Sequence, residues 1–139
     1  MTEQLAKAKE ILIQEKHACV VVSNEKTITS DQSGIKILLD WLNENKDVFL
    51  NTSVADKIIG GAAASVMIYG GIKEAYAEII SDSAIKLFTD NKIPFFFDKK
   101  VEYIKNRDKT DMCPMEKTCL GIDSPEEAYI ALRKKIFGE

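Results

Sequence analysis

Three groups of residues in this chain have the types and spacing that binding or catalysis requires. In the first, Asp56-Lys57 is followed by Gly60-Gly61 at the head of an apolar run that closes on Gly70-Gly71. The spacing predicts one helix from near Val54, buried on almost every side between Ile58 and Tyr69. Lys57 would then sit in the first turn, where a cation opposes the positive end of the helix dipole. An anion held by the exposed N–H groups and by Lys57 would turn that repulsion into attraction. A solvated pairing of Lys57 with Asp56 or Glu44 would answer it too. Each glycine costs a helix about 1 kcal/mol against alanine, so a neighbouring backbone or a ligand is expected close to Gly60 and Gly61. Asp56, Gly60 and Ala63 would share one helix face, as i, i+4 and i+7.

The second group is Ser81-Asp82-Ser83. Its hydroxyls and the amides behind them can bind phosphate or carboxylate, although these are also the residue types that helix starts prefer as caps. The third group lies further on. Arg107, one of two arginines, sits in the polar stretch Asn106–Asp111 and can clamp a planar anion, and Cys113-Pro-Met-Glu116 follows. Cys113 would serve as a nucleophile if a cation lowered its pKa, and Asp56 as a general base. The one histidine, His17, is distant in sequence and is expected to end the first helix, where positive charge is welcome. His17, Cys19, Cys113 and Cys119 suffice by count for a metal site, but their spacing matches no usual zinc knuckle. Neither a metal nor a cofactor is expected.

Composition narrows the partners. The 139 residues carry a net charge of -3, with a pI near 5.3 and no basic stripe. Counterion release therefore has no source, and neither nucleic acid nor an acidic membrane is an expected partner. Met1–Glu10 has no apolar signal core, and no run approaches the roughly 18 apolar residues of a membrane span. A cytoplasmic protein is the expectation. Its three cysteines suit reduced thiols better than a disulfide framework. A hydrophobic content of 45% can fill the core of one domain, residues 1–139.

These groups need a scaffold to position them. Leu5, Ala8, Ile11 and Leu12 mark an amphipathic helix from Thr2 to Lys16. Ala18–Ser23 and Thr27–Ser30 read as a hairpin whose first strand is apolar on both faces and therefore central. A helix from Ser33-Gly34 to Asn45 presents Ile35, Leu38, Leu39 and Leu42, with Trp41 at the edge. Ser53 and Asp56 resemble a capping box for the long apolar helix. Ile72–Ile80 alternates as a strand, Ala84–Asn91 is helical, and Ile93–Phe97 with Val101–Lys105 suggests a second hairpin about Asp98-Lys-Lys100. Ser124-Pro-Glu-Glu127 begins a last helix through Phe137. A mixed five-stranded sheet covered by helices on both faces, a three-layer α/β/α sandwich, accommodates this order. The long apolar helix would lie between the sheet and a second helical layer or a partner in a homodimer.

With Val54-Ala-Asp-Lys57, Gly60-Gly-Ala-Ala63, and Asn106-Arg107 to Cys113-Pro-Met-Glu116, this order resembles the cytidine deaminase-like fold. Within that fold it is similar to a family of small bacterial proteins classed as a domain of unknown function. The resemblance implies an architecture and no activity. Zinc deaminases place a histidine or cysteine with a glutamate at one helix start and Pro-Cys-x-x-Cys at the next. Here those places hold Gly60, Gly61 and Ala62, then Ser81, Asp82 and Ser83, so zinc-dependent deamination is disfavoured. The expectation is a zinc-free protein that binds a small anionic or nucleotide-like metabolite between two helix starts. Asp56, Lys57, Gly60, Gly61, Ser81 and Asp82 would line the site, with Arg107, Cys113 and Glu116 closing it. The alternatives are a metal-free hydrolase or transferase using Cys113 or Asp56, and a dimeric regulatory module.

Overall fold

Cys19–Val22 (β1) is buried at every position, and its two faces meet different helices. A computed structural model describes residues 1–24, 26–106 and 108–138. β1 pairs antiparallel with Thr27–Ser30 (β2) and with Ser53–Ile59 (β3). Glu74–Ser81 (β4) runs parallel to β3, and Phe95–Val101 (β5) runs parallel to β4. The result is a mixed five-stranded sheet in the order β2-β1-β3-β4-β5.

Glu3–Gln14 (α1) covers one face. Leu5, Ala8 and Leu12 pack on Val20, Val22, Ala55 and Tyr76. The other face carries the larger core, shared by Ile35–Glu44 (α2), Gly61–Gly70 (α3), Asp82–Asp90 (α4) and Pro125–Phe137 (α6), with the short Pro114–Cys119 (α5) beside them. Ser124 caps α6 through the Glu127 N–H, with Pro125 in the first turn, as its sequence predicts. Among the described residues no helix is long and apolar enough to cross a membrane.

Two expectations fail, and both failures matter for the site. The long apolar helix is in fact a strand and a helix, β3 and α3, joined at Gly60. A parallel strand covered on both faces is a continuous apolar run, which periodicity cannot separate from a buried helix. Ser53 and Asp56 therefore form no capping box; the buried Ser53 hydroxyl donates to Glu74 instead. α3 itself is buried almost all round, and it finds its cover within the chain against α6, α4 and α2. The second hairpin is also absent. Asp98, Lys99 and Lys100 lie inside β5, an edge strand exposed enough to carry charges that a buried strand would reject. His17 lies beyond the end of α1, where its ring bonds Asp31 and Glu15, and Asp31 holds its pKa above the ordinary histidine value.

Candidate functional site

Parallel strands with right-handed helical crossovers leave a crevice outside their carboxyl ends, where open α/β sheets bind ligands. A cleft of about 850 Å³ lies there, reaching Asp56 and Ile58 on β3, Ile79 on β4, and Lys99 and Val101 on β5. The segment following β5 and the start of α5 supply the opposite wall, including Tyr103, Ile104 and Met115. Lys99, Lys105 and Lys109 are exposed at this cleft and form no ion pair among the described residues. The size suits a small organic molecule.

Asp56 is one of two buried carboxylates that line this cleft, the other being Glu116, and it is 8% exposed. Its Oδ1 accepts one long local bond from the Ile58 N–H at 3.3 Å. Burial pushes its carboxyl up to about 7, against backbone N–H groups and the Cys19 thiol that favour the charged form. Cys19 is its direct partner across the β1–β3 ladder, and burial beside this carboxylate pushes the thiol well above its ordinary pKa. These donors are neutral, so a further donor from a bound group would favour the charged form.

Glu116 answers the question raised by the glycines. Its two oxygens accept from the Gly61 and Ala62 N–H groups, each at 2.8 Å, so a side chain from α5 occupies the amino end of α3. Burial pushes the Glu116 carboxyl up while the two amides oppose that shift. Gly60 is extended, so it is needed for space and not for conformation: a Cβ there would fall 2.1 Å from Glu116 Oε1 and 2.7 Å from Ile104 Cγ1. At Gly61 a Cβ would meet Ser83 Oγ at 2.7 Å. The expected anion at this helix start is thus the protein's own carboxylate.

The structure brings Asp56, Gly60, Cys113 and Glu116 together in the cleft. Gly61 lines a separate space of about 110 Å³ behind Glu116. Lys57 does not join them: it is exposed on β3, between the cleft-lining Asp56 and Ile58, and the helix-dipole argument for it disappears with the helix. Ser81 is buried and caps α4 through the Ala84 N–H, and Asp82 pairs with Lys100 at 3.2 Å, both outside the cleft. Arg107 lies outside the described residues. Cys113 is half-buried at the start of α5, and no base bonds its thiol among the described residues. Cys119 is pushed up to about 12 by burial and by Glu116. Sequence reasoning passed over Lys99 and Tyr103 because it placed them in or after a hairpin; the alternation Phe97, Lys99, Val101 would have put Lys99 on one face of a single strand.

A zinc ion of the deaminase kind does not fit these residues. The α3 start offers Gly60, Gly61 and Ala62, with its free amides already taken by Glu116, and the α4 start offers hydroxyls and one carboxylate. Neither helix start itself contributes a thiol or imidazole, and among the described residues no three His, Cys, Asp or Glu side chains stand together as a metal set.

A family model described as "TM1506: Domain of unknown function (DUF1893)" matches residues 7–136. Among solved structures, a DUF1893 family protein (TM1506) from Thermotoga maritima is 28% identical, with a TM-score of 0.88 over 98% of this chain and 92% of that one. No curated protein matches the chain.

Proposed function

The chain belongs to the DUF1893 family, and we propose that it binds a small anionic, nucleotide-like metabolite in the cleft at the carboxyl ends of β3, β4 and β5. The observation that carries this reading is the composition of the cleft. Apolar walls from Ile58, Ile79, Ile104 and Met115 suit a flat organic body, and Lys99, Lys105 and Lys109 suit its anionic group. These lysines replace the helix-start amides as the anion-binding element, since Glu116 has taken the amides. The strand order and the two parallel crossovers through α3 and α4 support a cytidine deaminase-like sandwich, used here without zinc.

One observation favours a second reading, turnover without a metal. A carboxyl near 7 in a cleft is suited to general acid–base work, so Asp56 is the group that would move a proton. Cys113 has no comparable support.

Isothermal titration with adenosine 5′-monophosphate tests the binding reading. The wild-type chain is expected to bind it in a salt-sensitive way, and the double variant Lys105→Glu/Lys109→Glu to bind at least tenfold more weakly. Equal affinity in the two proteins would count against an anion held at this rim.

A further inference from the structure

The buried end of the cleft differs in chemistry from its rim. Asp56 is more than nine-tenths buried and lines the cleft, and the donors that favour its charged form, the Ile58 and Lys57 N–H groups and the Cys19 thiol, carry no positive charge. A carboxylate accepts at about four positions and donates at none, so an ionised Asp56 with these neutral donors still has room for one from the cleft. β4 brings Ile79, α3 brings Gly60 and Ala63, and the start of α2 brings Ser33, Gly34 and Ile35. Among the described residues, the titratable or charged groups around Asp56 and its cleft are Cys19 beside it on β1, Glu116 on α5, Lys99 on β5, and Glu102, Tyr103, Lys105, Lys109 and Cys113 after β5. Glu116 is already engaged by two amides, and the lysines are exposed at the rim.

We propose that the ligand of this cleft is two-ended, an organic phosphate or carboxylate whose far end carries an N–H donor, an amine or amidine, that bonds the Asp56 carboxylate. This rests on the anion-binding reading of the rim and adds the chemistry of the other end. It also fixes a proton balance. In the free protein burial holds Asp56 near 7. A donor from the ligand favours the charged form and lowers that value. Below about pH 7, binding therefore expels the Asp56 proton to solvent; above it, Asp56 is already ionised and no proton leaves.

The test compares adenosine 5′-monophosphate with purine riboside 5′-monophosphate, which keeps the phosphate and the ring and lacks the amino group. The wild-type chain should bind the amino compound roughly tenfold or more tightly, the worth of one hydrogen bond to a charged group. Titrations in buffers of different ionisation enthalpy should show proton release for the amino compound at pH 6 in excess of its partner, and none in excess at pH 8.5. Asp56→Asn, with its fold checked by circular dichroism, keeps a neutral acceptor, so it should reduce the preference for the amino compound and abolish the excess proton release at pH 6. Equal affinities in the wild type with no excess proton release overturn the inference and leave the rim reading standing. If neither compound shows binding that depends on Lys105 and Lys109, both fall.

Discussion

The two helices that follow the parallel strands begin in opposite ways. α4 is capped locally: Ser81 accepts from the Ala84 N–H three residues on, at 3.2 Å. α3 has no side-chain cap of its own, and its first amides are held by Glu116, 55 residues away along the chain. A local cap fixes one helix. The remote cap fixes α3, α5 and the segment between β5 and α5 relative to one another, and that segment is a wall of the cleft. The proposed binding cleft lies beside the remotely capped start of α3 and not beside the locally capped start of α4. The remote cap also accounts for Gly60, which keeps open the space the carboxylate needs.

Breaking the remote cap should have the largest effect. Glu116→Ala leaves two buried amides without a partner, and a loss of roughly 2–5 kcal/mol is expected in denaturant unfolding. Gly60→Ala should cost a similar amount, because its new methyl and the carboxylate cannot share one place. The double variant should lose less than the sum, since both changes remove one contact. Additive losses would mean that Gly60 and Glu116 act separately.

The next effect concerns pH. Asp56 has a folded pKa of about 7 against an unfolded value near 3.8, so the folded state holds a proton that the unfolded state has released. Its contribution to stability is present below pH 4 and is lost as pH rises to about 7, by up to about 1.4 kcal/mol per unit. The stability curve of Asp56→Asn should therefore fall less steeply over that window than the wild type's. Parallel curves would place Asp56 in contact with water.

At the α4 end the effects should shrink. Ser81→Ala should cost about 1 kcal/mol, the usual worth of a local cap, without altering the affinity for adenosine 5′-monophosphate. Asp82→Ala removes only an exposed pair with Lys100 and should leave the melting temperature close to the wild type's. A binding defect in either variant would extend the site to α4 and weaken the contrast between the two ends.

What the sequence disclosed follows the same division between local and remote. The caps of α4 and α6 and the two-sided burial of β1 are each written within a few consecutive residues, and each appears in the structure, whereas β4, read as alternating, buries Glu74 and Tyr76 as fully as Ala75 and Ala77. The boundary inside Val54–Gly71 was hidden because a strand buried on both faces and a helix buried all round share one composition. The Glu116 cap was hidden for another reason: no spacing rule links a carboxylate to amides more than 50 residues earlier. Asp56, Gly60, Cys113 and Glu116 were nevertheless chosen from sequence and do meet at one cleft, although the helix used to argue for Asp56 does not exist there. Their residue types survived the error in geometry. Lys57 did not, because its case depended wholly on that helix.

Carbon-13 NMR of the Asp56 carboxyl, titrated with and without adenosine 5′-monophosphate, tests the account most directly. A pKa of about 7 in the free protein that falls when the nucleotide is added is the predicted result. An ordinary carboxylate value, unmoved by the nucleotide, would contradict it.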